Sequence, residues 1–106
     1  MLKEPSSQQV EAIKAEHPKA VGLEVDGQTF IAKPAPRVVY AQYLNALTET
    51  RKGYDAYAIL CKHCIVFPDE VDRDELFDAT PGLIPALGAQ IAKLCETEAK
   101  VTVKKL

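Results

Sequence analysis

Tryptophan is absent from this chain of 106 residues, methionine occurs once, and aromatics make up 7%, as four tyrosines and three phenylalanines. A core must therefore be built mainly from Val, Ile, Leu and Ala. Long hydrophobic runs are also missing. The longest stretch without a charge runs from Ala79 to Ala92 and contains Pro81 and Pro85. That falls short of the roughly 20 apolar residues of a spanning helix, so no membrane partner is expected. The opening residues, MLKEPSSQQ, carry no apolar stretch of the kind a secretory signal needs. Excess charge of one sign is lacking too, because 13 basic and 15 acidic residues leave −2. Lys93, Lys100, Lys104 and Lys105 give only a local positive bias, too little for a nucleic-acid footprint. What is present, 47% apolar and 26% charged residues, is the balance of a globular domain rather than a disordered chain. The length suits one domain, residues 1–106.

Along the chain, Ser6 and Gln9 have the spacing of a capping box and open a first helix carrying Val10, Ile13 and His17, which Pro18 stops. Two alternating runs, Ala20–Val25 and Gln28–Ala32, flank Asp26-Gly27. Asp-Gly suits the positive φ angles of a two-residue turn, so a β-hairpin is predicted. After Pro34 and Pro36 the spacing becomes helical from Arg37 to about Thr50, and Lys52-Gly53 breaks it. A third helix is predicted from Tyr54 to Cys64, followed by the apolar run Ile65-Val66-Phe67 before Pro68. The acids of Asp69–Glu75 sit where a helix N-terminus favours them, with Leu76 and Phe77 as the apolar contacts of that fourth helix. A last helix begins near Leu83, holds Pro85 in its first turn and ends near Glu98. Lys100-Val101-Thr102-Val103-Lys104 alternates again and is read as a third strand pairing with the hairpin. The predicted fold is α+β: an N-terminal hairpin, with the C-terminal segment as its third strand in an antiparallel sheet, packed on four to five short helices.

Cys61, Cys64 and Cys95 are three thiols, an odd count that fits a reducing cytoplasm better than a disulfide framework. Cys61-Lys62-His63-Cys64 has CxxC spacing, but lies at the C-terminal end of a predicted helix, where the dipole disfavours a thiolate. A metal reading would use Cys61, Cys64 and Cys95 with His63 or His17. Against it, only one short-spaced pair exists, and positions 61 and 63 point about 200° apart on a helix. Buried thiols acting as small apolar groups are the simpler expectation, with no cofactor. No P-loop, GxGxxG or nucleophile elbow occurs, and neither histidine has a diagnostic partner, so no enzyme is expected. The acids between Asp69 and Glu75 lack the alternation and central glycine of a calcium loop. Gly88, Ala89 and Ala92 form a small-residue face, suited to close internal packing or to a partner helix.

The order of these runs resembles tail assembly chaperone-type proteins of tailed phages and prophages. Glu24–Pro34 looks like that family's hairpin running into a basic-Pro segment, and Arg37–Leu47 like the helix that follows. Ile59–Pro68 looks like the helix ending in a cysteine and an apolar-Pro turn. Leu76–Leu87 and the closing Lys104-Lys105-Leu106 complete the order, so the resemblance spans about residues 10–106. The second cysteine and His63 are departures from it. The resemblance implies a non-catalytic factor of the host cytoplasm that shields the apolar helical tape-measure protein until tail-tube subunits assemble around it. Its partners would be the tape-measure or tail-tube protein, with self-association as a further possibility. The candidate contact stripe is Leu83, Leu87, Ile91 and Leu94, whose spacing equally suits the domain's own core.

Overall fold

The computed structural model describes residues 4–49, 53–96 and 101–106 of the chain. Its elements are α1 (Ser7–Glu16), β1 (Val21–Val25), β2 (Gln28–Ala32), α2 (Arg37–Thr48), α3 (Gly53–Cys64), β3 (Ile65–Phe67), α4 (Glu70–Ala79) and α5 (Leu83–Cys95). This is an α+β fold, with a three-stranded antiparallel sheet in the order β1-β2-β3.

The local signals act as their chemistry requires. The Gln9 amide donates to Ser6 Oγ at 3.1 Å, and the Ser6 amide donates to Gln9 Oε1 at 2.8 Å, closing the capping box of α1. Asp26 and Gly27 take φ angles of 50° and 84°, and Val25 pairs with Gln28 across the turn. Asp69 Oδ1 accepts from the Asp72 amide at 3.0 Å and caps α4, with Glu70 and Asp72 in its first turn. The predicted limits Thr50 and Glu98 lie outside the described residues.

The third strand is not the one expected. Ile65–Phe67 follows α3 without a linker and pairs with β2, Ile31 opposite Phe67 and Ala32 opposite Ile65. The Lys33 amide donates to the Cys64 carbonyl at 2.9 Å and continues the contact. The C-terminal segment forms no strand over residues 101–104, where Val101 and Val103 are 91% and 93% exposed; Lys100 lies outside the described residues. Burial decides between the two. Ile65 is sealed in the core beside α3, whereas Val101 and Val103 are separated by Thr102 and followed by lysines. Three residues are too few to reveal alternation in a sequence.

Strand alternation divides the sheet's two faces. Phe30 and Ala32 face the helices and join their core, with Leu23 and Val25 packed at its margin. Ile31 and Thr29 face the other way, toward α1, and Ile13 of α1 lines the clefts on both sides of that helix. On the helical side α3 is central, with α2 on one flank and α5 on the other. Phe77 of α4 stacks on Phe30, ring centroids 6.4 Å apart. Between α3 and α5 the approach is set by Gly88: a Cβ there would lie 2.5 Å from Tyr57 Cβ. The small-residue face of the last helix is therefore internal packing against α3.

Candidate functional site

The CxxC pair sits on the last turn of α3, held by burial. Cys61 Sγ donates to the Ile84 carbonyl of α5 at 3.5 Å. Burial pushes the Cys61 thiol up to about 12, reinforced by Cys64 and opposed by the Arg73 guanidinium. Burial likewise pushes Cys64 up to about 12, with Cys95 adding to the shift and Lys33 opposing it. Both thiols therefore stay protonated at neutral pH and are poor nucleophiles, since the thiolate is the reactive form. Cys95, half-buried at the end of α5, accepts from the Ala35 amide at 3.2 Å.

The alternative metal set does not assemble. His63 is exposed on α3, away from the buried Cys61 and Cys64. Among the described residues no group of three His, Cys, Asp or Glu side chains could hold a metal ion. The reason is the helical angle between positions 61 and 63, which turns one inward and the other to water. His17 ends α1, its amide donating to the Ile13 carbonyl at 2.7 Å. Its Nε2 lies 3.8 Å from Glu16 Oε1, beyond hydrogen-bond length. The shallow cleft there is completed by Pro18, Lys19, Lys33 and Pro34, none of them a hydroxyl or thiol nucleophile.

The four residues of the candidate contact stripe do not form one surface. Leu87 and Ile91 are 1% and 0% exposed, inside the core between α3 and α5. Leu83 and Leu94 are half-buried at opposite ends of α5. In the folded domain, Leu87 and Ile91 are therefore core residues, a correction that follows from α5 carrying the most apolar face of the chain.

Two features escaped sequence reading. The first is Arg73, placed within the acidic run yet only 6% exposed. Its Nη1 donates to the Lys62 carbonyl at 3.2 Å, covering one of the open carbonyls at the end of α3. Its Nε lies 3.5 Å from Asp74 Oδ1 without making a hydrogen bond. Glu70, Asp74, Lys62 and Arg73 share the rim of this cleft of about 360 Å³, so its charges balance. The second is an apolar flank on α2. Tyr40, Leu44 and Leu47 follow i, i+4, i+7 spacing and share one face. Tyr40 leans on Tyr43, ring centroids 5.7 Å apart, and Tyr43 on Tyr57 at 6.1 Å. Leu44 and Leu47 remain 43% and 40% exposed beside this aromatic row. Helical spacing marks the apolar arc of α2 in the sequence, and only the placement of α3 shows which part of that arc stays uncovered.

No described helix is long and apolar enough to cross a membrane. No family model matches the chain, and no curated protein and no solved structure is significantly similar to it.

Proposed function

We propose that this domain is a non-catalytic morphogenesis factor of phage or prophage tails, a chaperone or adaptor acting in the host cytoplasm on the tape-measure or tail-tube protein. The observation that carries the reading is the α2 flank. Leu44 and Leu47 are large aliphatic side chains left partly in water on the helix that carries Tyr40 and Tyr43, the tyrosines that with Tyr57 form an aromatic row. A ridge of this kind receives the apolar face of another helix. A long amphipathic helix left bare before assembly is an aggregation hazard. Covering it with a modest contact, rather than a deep pocket, leaves the complex easy to displace when tube subunits arrive. The resemblance in the order of hairpin, basic-Pro segment and helices supplies the specific partner.

The test is aggregation of an apolar, helical tape-measure segment followed by light scattering with and without equimolar domain. The domain suppresses scattering, and Leu44→Glu combined with Leu47→Glu removes the effect while circular dichroism is unchanged. Losing two aliphatic contacts weakens binding by about tenfold or more. Scattering that the native domain leaves untouched, or a double variant as effective as the native chain, rejects the proposal.

A further inference from the structure

We propose that residues 101–105 add as a fourth strand to the open edge of β1 in a second copy of this chain, each copy giving its segment to the other. In the order β1-β2-β3, β1 is an edge, and among the described residues no strand pairs with its outer side. An open edge is a template for strand addition. The segment that fits it stands off its own domain, with every residue from 101 to 106 exposed. Val-Thr-Val has high strand preference, yet Val101, Val103 and Leu106 are 91%, 93% and 119% exposed.

Pattern and charge both match the edge. Laid parallel to β1, residues 101–105 stand beside residues 21–25. Val101 and Val103 then extend the face formed by Val21, Leu23 and Val25, which packs toward the helices. Thr102 falls beside Gly22 on the opposite face, where the missing side chain leaves open space, with nothing within 4 Å of a Cβ placed there. Lys104 falls beside Glu24, which is exposed, and Lys105 ends the strand beside Val25 next to the turn. Opposite charges side by side on adjacent strands stabilise the pair. Exchange between two copies uses the same two surfaces twice and closes on a two-fold axis, so growth stops at a dimer.

Solution mass measured by light scattering on the intact chain, from about 10 µM to about 1 mM, brackets the range in which two short strand additions would half-dissociate. The intact chain is expected to pass from monomer to dimer over this range. The chain truncated after Glu96 should stay monomeric at every concentration with unchanged circular dichroism. Glu24→Lys or Lys104→Glu alone should weaken the dimer about twofold to fivefold for each strand pair, and the two together should restore it. A monomer at all concentrations overturns the proposal, including one whose residues 101–104 are protected from amide exchange by pairing within the chain. A dimer that survives truncation overturns it as well.

Discussion

Helices α1 and α5 flank opposite sides of the molecule and are held by opposite means. Helix α1 has a complete capping box and not one buried residue. Helix α5 has no side-chain cap, yet buries Leu87, Gly88, Ile91 and Ala92. The first is specified by bonds between neighbours in sequence, the second by contacts with α3. Capping fixes where a helix begins, but packing of an apolar face supplies most of what keeps a short helix formed. The two ends of the fold therefore differ in how firmly they are anchored.

The sharpest way to break this comparison is one truncation made on both sides. Ile91→Ala removes a fully buried side chain, and unfolding by urea should show a loss of about 2–5 kcal/mol. Ile13→Ala, at a half-buried position on α1, should cost clearly less. Equal losses would show α1 to be as much a part of the core as α5.

Alkaline pH probes the packed side alone. Cys61 and Cys64 are held neutral in the fold, raised to about 12 by burial, whereas an unfolded thiol ionises near its ordinary value. Between the two values the folded state binds more protons, so stability falls as pH rises. The contribution is complete below about pH 8.5 and is lost upward at about 1.4 kcal/mol per pH unit for each thiol. Urea unfolding between pH 8 and 10.5 should therefore be steeper in the native chain than in a variant with Cys61→Ala and Cys64→Ala. Matching slopes would show that neither thiol contributes.

The smallest effect should be Ser6→Ala. It removes the oxygen that accepts the Gln9 amide and costs helix α1 about 1 kcal/mol. Amide exchange should rise within α1 and stay unchanged in α5. A uniform rise across the domain would show that the two helices open together.

Legibility followed the range of the deciding interaction. Ser6 with Gln9, Asp26-Gly27, the acids ahead of Leu76 and the position of Pro85 act within a few residues, so the hairpin and the five helices of the described residues were readable. Ile65–Phe67 was not readable as a strand, because three residues carry no period and their pairing partner, β2, is more than 30 positions away. Arg73 was hidden because its acceptor, the Lys62 carbonyl, exists only once α3 and α4 meet. Leu87 and Ile91 shared the apolar pattern of Leu44 and Leu47, and pattern alone does not distinguish a stripe that is sealed from one that is left open.

The sequence by itself determined where the helices begin and where the hairpin turns, because caps, prolines and turn residues act through the backbone next to them. Only the tertiary structure decided which segment became the third strand, which thiols lost contact with water and which apolar face remained outside. Those outcomes depend on competition among distant segments for the same buried area, and burial is a property of the assembled layers rather than of any one stretch of chain.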